Sequence, residues 1–208
     1  MSNAIKIGSA NRVYRKKDYH FQLGNHKLPK TTAIFNLPRL KTCPGATELC
    51  KKFCYAGKAE KIYPQVPAYR ERKYQLSLSS SFVNEISSEL EHLGSKIDAI
   101  RIHESGDFYD QEYLNKWVEI ANKFSGLKFY AYTKSYFLDF SARPSNMIVR
   151  LSLDGTSKSD AQSVVALFDG VAWMNGSQDK EKEYFTCPGS CKSCTYCLNK
   201  GDVQFLKH

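Results

Sequence analysis

The sequence has no cysteine between residues 54 and 187, although seven cysteines flank that gap. Cysteines that only fill a hydrophobic core would be scattered along the chain, so this absence excludes core packing as their main role. They form an early group and a late group, which are Cys43, Cys50 and Cys54, and Cys187, Cys191, Cys194 and Cys197. Thiolates gathered in this way are typical of a metal ion or an iron–sulfur cluster.

Long apolar runs are also absent, and this excludes a helix that spans a membrane, since such a helix needs about 18 or more apolar residues. The first residues lack the apolar segment of a signal peptide, so we expect a cytoplasmic protein without a membrane partner. Because thiols stay reduced in that compartment, an odd number of clustered cysteines favours metal binding over disulfides.

The net charge of +9 is unevenly distributed. Residues 1–60 contain 12 Lys and Arg against 3 Asp and Glu, whereas residues 61–208 contain 18 of each kind. Near the amino terminus the basic residues alternate with tyrosines, a pattern that predicts either contact with single-stranded nucleic acid or a solubilising arm. These basic residues are Arg12, Arg15, Lys16 and Lys17.

Strand and helix patterns alternate along the chain, which favours an α/β fold built from parallel βαβ units. The predicted strands cover residues 31–37, 99–103, 127–132, 147–153 and 170–174, and the predicted helices cover residues 68–78, 81–93, 110–126 and 159–168. Five strands suit a partial or distorted parallel (β/α) barrel with a cysteine-rich metal loop near each end of the chain. We expect a basic lead-in over 1–30, the barrel over 31–180 and a metal-binding segment over 181–208.

The spacing of the cysteines leaves two arrangements open. The late group, Cys-x3-Cys-x2-Cys-x2-Cys, places four thiols in eleven residues, enough for one iron–sulfur cluster or, alternatively, a zinc ion. The early group, Cys-x6-Cys-x3-Cys, provides three ligands. Its fourth position is either open, which gives two separate centres, or filled by a late cysteine in one shared cluster, with the other late cysteines structural or bound to zinc.

Several residues follow the predicted strands at their carboxyl ends, where the loops of a parallel α/β barrel converge on one site. We expect them to surround the early cysteines and bind a cofactor. The alternative is that they satisfy buried polar groups or form structural ion pairs. The candidates are His103, Glu104, Gly106, Asp107, Lys134 and Arg150, together with Arg101.

Three cysteines after the first strand, with Phe53 directly before Cys54, resemble the radical S-adenosylmethionine superfamily. The resemblance implies a partial barrel and a 4Fe-4S cluster whose open iron binds S-adenosylmethionine. It also implies that the segment from Glu104 to Asp107 meets the methionyl amine. The usual spacing in that superfamily is Cys-x3-Cys-x2-Cys, which the early group does not have.

A resemblance that covers most of the chain is to a phage family named gene product 88. The runs that carry it are 37–47, 50–56, 69–72, 101–109, 132–135 and 185–188. This resemblance implies a phage or prophage origin, hence the cytoplasm of a host cell, and it implies no activity. The clustered cysteines predict an iron–sulfur protein, and the resemblance to the radical S-adenosylmethionine superfamily implies radical or redox chemistry. The alternative is a non-catalytic iron–sulfur or zinc protein with a role in electron transfer, structure or nucleic-acid binding.

Overall fold

One eight-stranded sheet forms the centre of the structure, a computed structural model that describes residues 19–174 and 184–206. In chain order the strands are β1 (Gln22–Leu23), β2 (Thr32–Phe35), β3 (Ala99–Ile102), β4 (Lys128–Thr133), β5 (Met147–Leu153), β6 (Val171–Met174), β7 (Phe185–Thr186) and β8 (Val203–Phe205). Their spatial order is β1-β2-β3-β4-β5-β6-β8-β7. All neighbours are parallel except β1 and β2, which run antiparallel.

Within the described residues six α-helices accompany the sheet: α1 (Glu48–Lys52), α2 (Ala56–Ile62), α3 (Gln65–Leu78), α4 (Phe82–Leu93), α5 (Gln111–Lys123) and α6 (Ser159–Ser163). Short 3-10 turns cover Gly94–Lys96, Val165–Leu167 and Tyr196–Leu198. None of the helices in the described ranges is long and apolar enough to cross a membrane.

The predicted alternation of strands and helices is confirmed, but a barrel is not shown. The five predicted strands form β2 to β6, each within three residues of its expected ends. The sheet gains β1 at one edge and β8 and β7 at the other, and the described strands leave it open between β1 and β7. Closure depends on the number, tilt and register of all strands, so local patterns do not determine it.

The two faces of the sheet differ in what covers them. On the helix face, Phe35, Ile102 and Ala131 pack in the main hydrophobic core with residues of α4 and α5. On the opposite face, the register aligns Ile34, Arg101, Tyr130 and Ile148 across neighbouring strands, and Arg150 pairs with Tyr132. This opposite face is covered in part by the 3-10 turn at Tyr196–Leu198 rather than by an α-helix.

Local signals explain where several helices begin and end. The Asp110 side chain accepts a hydrogen bond from the Tyr113 amide and so caps α5. Gly94 adopts a positive φ of 49° directly after α4, which ends the helix. The third helix, α3, begins at Gln65 rather than at the predicted Pro67, because a proline in the first turn lacks only an amide that would have no helical partner.

The cysteine-rich carboxyl-terminal segment belongs to the same sheet. Strand β8 pairs with β6, and β7 pairs with β8, so the chain after residue 184 extends the sheet that the earlier strands begin. The basic residues of the lead-in, Arg12, Arg15, Lys16 and Lys17, lie outside the described residues, and their predicted contact with nucleic acid stays a prediction.

Candidate functional site

The early cysteine loop lies over the carboxyl ends of β3, β4 and β5. The Asp107 amide donates to the carbonyl of Thr42 at 3.0 Å, and the Thr47 hydroxyl donates to Asp154 Oδ2 at 2.5 Å. A Cβ on Gly45 would lie 2.1 Å from the carbonyl oxygen of Lys134, so the loop packs directly on the end of β4. The structure thus places this loop at the edge of the sheet that the sequence predicted for it.

The three early thiols are half-buried, free and close enough to influence one another. Burial, together with the nearby Asp107 carboxylate and the other two thiols, raises the pKa of Cys43 to about 12. Burial also raises the pKa of Cys50, and the Lys134 ammonium acts in the opposite direction. Without a metal ion the thiols of Cys43 and Cys50 therefore remain protonated at neutral pH.

Cationic side chains accompany the early thiols. Lys134 Nζ lies 2.7 Å from Asp154 Oδ2 and is among the charges that act on Cys50. Arg39 Nε lies 2.7 Å from Glu60 Oε2, and the pKa of Arg39 is raised mainly by Glu60, with a smaller contribution from Cys54. Nearby cations favour the thiolate over the thiol, which is the form that binds metal.

The late cysteines lie against the opposite face of the sheet. Cys197 and Leu198 pack against Tyr130 and Tyr132 of β4. The Cys191 amide donates to the carbonyl of Lys27 at 2.9 Å, and this bond joins the segment to the turn after β1. The late thiols therefore lie on the face of the sheet opposite the main hydrophobic core, whereas the early loop lies at its carboxyl edge.

Arg150 organises the backbone of the late group. Its buried guanidinium donates to the carbonyl of Gly201 at 2.8 Å, of Cys197 at 2.9 Å and of Tyr196 at 3.4 Å, and it also donates to the carbonyl of Asn199. A planar guanidinium suits such convergent acceptors better than a lysine ammonium would. These contacts correspond to the structural alternative for Arg150, whose donors already serve the protein's own carbonyls.

Among the seven thiols, those with the largest effects on Cys43 and on Cys191 belong to the same group as the affected cysteine. The thiols with the largest effects on Cys43 are Cys50 and Cys54. Burial raises the pKa of Cys191, and the thiols with the largest effects on it are those of the late group, which are Cys187, Cys194 and Cys197. This arrangement favours two separate centres over one shared cluster. Within residues 19–174 and 184–206, however, no three His, Cys, Asp or Glu side chains are arranged to hold a metal ion.

The segment after β3 combines one available carboxylate with one that is fully bonded. Asp107 is buried and accepts from Thr133 Oγ1 at 2.6 Å and from the Lys134 and Phe108 amides at 2.8 Å. Burial raises its pKa to about 6, against the lowering effect of these bonds. Glu104 is half-buried, and among the described residues its carboxylate accepts a hydrogen bond only from the Asn25 side-chain amide, at 2.8 Å through Oε1.

Two further predicted site residues shape this loop. Gly106 has a φ of 86°, and a Cβ there would lie 2.6 Å from Leu37 Cβ, so the position requires glycine. His103 also adopts a positive φ, 66°, and is buried with its Nε2 2.8 Å from the Tyr113 hydroxyl. Its Nδ1 has no hydrogen-bond partner among the described residues. His103 is therefore turned into the core rather than toward the early thiols.

Arg101 lies on the opposite face of the sheet, where its charge acts on the late thiol of Cys191. Its guanidinium carbon is 4.0 Å from the ring centroid of Tyr132 and 5.1 Å from that of Tyr130, and its Nε donates to the carbonyl of His103. Its charge lowers the pKa of Cys191, although burial outweighs this effect. The terminal amino groups of Arg101 have no acceptor in the part of the chain that the structure describes, so they remain available to a ligand.

Sequence reasoning missed the residues that support this edge. The Asn36 side chain accepts from the amides of Glu104 and Ser105 at 2.7 and 3.0 Å, and Thr47 caps α1 through the Cys50 amide. Two signals in the sequence could have indicated these roles, namely an asparagine directly after a strand and a threonine three residues before Cys50. The contact between Arg39 and Cys54 had no comparable signal.

We expect Arg150→Leu to lower the free energy of unfolding by about 3 kcal/mol, because it leaves several carbonyls of the late segment without donors. Urea unfolding measures the loss, and faster amide exchange over 196–201 would localise it. The matched control is Lys192→Ala in the same segment, an exposed position at which the change should affect stability little. Equal stability of Arg150→Leu and the native chain would contradict the structural role.

His103 predicts a pH dependence of stability. Burial, with a smaller effect of Arg101, lowers its pKa from 6.5 to about 3. The unfolded chain therefore binds a proton at pH values where the folded protein does not. The stability that the neutral imidazole contributes is complete above pH 6.5 and is lost as the pH falls toward 3. Between pH 7 and pH 5 this imidazole should remove about 2 kcal/mol from the free energy of unfolding.

The variant His103→Gln tests this dependence, because it lacks the titrating group. Its loss of stability between pH 7 and pH 5, measured by urea unfolding, should be smaller than that of the native chain by the same amount. The effect of Asp107 has the opposite sign and is common to both proteins, so it cancels in the difference. The exposed His26→Gln serves as control, and identical pH profiles for all three proteins would refute a neutral buried His103.

Comparison with known proteins identifies the family. Residues 6–207 match the family described as Gene product 88. The chain is 26% identical over 188 residues to the Gene 88 protein of Mycobacterium phage D29, covering 76% of this chain and 78% of that protein. It is 25% identical over 179 residues to the Gene 88 protein of Mycobacterium phage L5, covering 78% and 74%. No solved structure matches the chain. The chain belongs to the Gene product 88 family of phage proteins.

Proposed function

We propose that this phage protein binds iron and sulfide, with one cluster at the early cysteines and a separate metal centre at the late cysteines. The observation that supports this most is the position of the early loop, which brings three free thiols to the carboxyl edge of a parallel sheet. Ligands of open α/β sheets bind at this edge. Three thiolates leave one iron of a 4Fe-4S cluster open to a further ligand.

The donor set fits such a cluster, although the thiols are not yet arranged as ligands. Protonated thiols do not attract one another, and metal binding in proteins is coupled to deprotonation and local folding. Cys50 lies in the short helix α1 and Cys54 lies just after it, so a modest change in this loop would bring them toward Cys43. Lys134 and Arg39 would offset part of the negative charge of the three thiolates.

The finer proposal is that the open position binds S-adenosylmethionine, and the cluster would then supply a single electron to it. Of the two carboxylates after β3, only Glu104 has an oxygen without a partner in the described residues, so we assign the contact with the methionyl amine to Glu104 rather than to Asp107. The terminal amino groups of Arg101 are available for the carboxylate of the same ligand.

A second candidate function is a non-catalytic role in electron transfer or structure. The late segment supports it, because Arg150 and β8 hold that segment as part of the sheet. Four thiols in such a fixed segment suit a zinc ion or an auxiliary cluster that stabilises the fold. In this alternative both centres bind metal and neither binds S-adenosylmethionine.

The test is anaerobic purification and reconstitution, followed by iron, sulfide and zinc analysis. We expect about four iron and four sulfide for the early centre, with a second cluster or zinc in addition. Electron paramagnetic resonance of the dithionite-reduced protein should change when S-adenosylmethionine is added. Glu104→Gln should keep the iron content and weaken that change, whereas Glu85→Gln, on α4, serves as the matched control.

Each other outcome has a defined meaning. Zinc without sulfide would refute both iron–sulfur centres. A reduced cluster whose spectrum is unchanged by S-adenosylmethionine, and which does not cleave it, would refute the radical enzyme and favour the electron-transfer alternative. Loss of the cluster in Glu104→Gln would mean that Glu104 supports the loop and does not contact the added ligand.

A further inference from the structure

Helix α2 and the residues beside it expose aromatic, aliphatic and basic side chains together. Tyr55, Ile62 and Tyr63 are each more than half exposed, at 60%, 65% and 53%. Lys58 and Lys61 are exposed between them. Lys58 lies three residues after Tyr55, and Ile62 lies four residues after Lys58, a spacing that places the three side chains on one side of the helix. We call these five residues the α2 surface.

The positive charge of the α2 surface is not compensated. The acidic residue of α2, Glu60, lies on its inner side, where Arg39 Nε and Arg70 Nη1 each lie 2.7 Å from its carboxylate oxygens. Lys58 and Lys61 have no acidic partner in the described part of the chain. Across residues 38–63, six basic residues face two acidic ones. Such a surface attracts a polyanion.

The aromatic rings of the α2 surface are presented on a fixed backbone. The Tyr55 hydroxyl donates to the carbonyl of Glu104, which holds this ring beside the carboxyl edge of β3. Tyr63 is the residue at which α2 ends, and its amide donates to the carbonyl of Ala59 at 2.9 Å. The Tyr55 ring, which this bond holds in place, loses little conformational freedom when a flat partner stacks on it.

We propose that the α2 surface binds single-stranded nucleic acid, with Lys58 and Lys61 at phosphates and Tyr55 and Tyr63 against unpaired bases. Lysines alone would suit any polyanion, but exposed aromatic rings beside them suit a strand whose bases are free to stack. The surface borders Cys54, so a bound strand would lie next to the early cysteine loop. This inference does not depend on the metal content of the protein.

Fluorescence anisotropy with the full chain tests the proposal. The probes are labelled deoxythymidine and uridine strands of about 20 nucleotides, long enough to cover one site, and a DNA duplex of the same length. Both strands should bind more tightly than the duplex, and their affinity should fall as salt rises, since lysines release counterions from phosphates. A difference between the two strands would show whether the ligand is DNA or RNA.

The charge test is Lys58→Gln/Lys61→Gln. Two phosphate contacts fewer should reduce the slope of log affinity against log salt by about 1.4, since each contact to a single strand contributes about 0.7, and should weaken binding. The matched control is Lys96→Gln/Lys128→Gln, which removes the same charge from exposed positions at the amino ends of the strands. This control should retain most of the affinity of the native chain at every salt concentration. Its slope of log affinity against log salt should be nearly that of the native chain.

The stacking test is Tyr63→Ala. It should weaken binding about tenfold, within the range known for one stacked base, and leave the salt slope unchanged. Tyr63→Phe keeps the ring and should bind as the native chain does. Phe137→Ala removes a ring that is 55% exposed elsewhere and should have no effect. Circular dichroism of each variant verifies that the fold is retained.

Several results would overturn the proposal. One is equal binding by Lys58→Gln/Lys61→Gln and its control. Another is binding that is lost only when Arg12, Arg15, Lys16 and Lys17 are neutralised, which would assign the contact to the lead-in. Preference for the duplex, binding to anionic phosphatidylserine vesicles but to no strand, or no binding to any probe would also refute it.

Discussion

The ion pair between Lys134 and Asp154 joins three parts of the protein at the carboxyl edge of the sheet. Lys134 follows β4, Asp154 follows β5, and the Asp154 carboxylate also accepts the hydroxyl of Thr47 from the early loop. Although burial raises the pKa of Asp154, its hydrogen bonds from Lys134 and Thr47 bring it below the ordinary value. Because both charges are buried, removal of one would leave the other uncompensated, so the position of the early cysteines depends on the pair.

Arg150 has the equivalent role on the opposite face of the sheet. It holds the late cysteine segment through main-chain carbonyls, while the early loop is held through side-chain carboxylates. Two separate anchoring systems explain why each group of thiols influences mainly its own members. Arg101, which contacts the rings of Tyr130 and Tyr132, lies on the same face as the late thiols. Under the proposed function, each anchoring system would hold its own metal centre.

Much of the fold could be predicted because it depends on local patterns. The strand β5 matches its predicted bounds, 147–153, since its apolar run is continuous, and α4 matches within one residue because its apolar spacing and Gly94 agree. The location of the early loop followed from the way parallel strands converge. The short strands β1, β7 and β8 depend on pairing across the chain, and the partners of Arg150 are carbonyls 46 to 51 residues away, so neither was accessible to local reasoning.

The most direct test of two separate centres is the metal content of two sets of variants. One set replaces Cys43, Cys50 and Cys54 by serine, and the other replaces Cys191, Cys194 and Cys197. The account predicts that each set loses the metal of its own centre and keeps that of the other, as measured by iron, sulfide and zinc analysis on folded protein. Loss of all metal in both sets would show one shared centre and contradict the account.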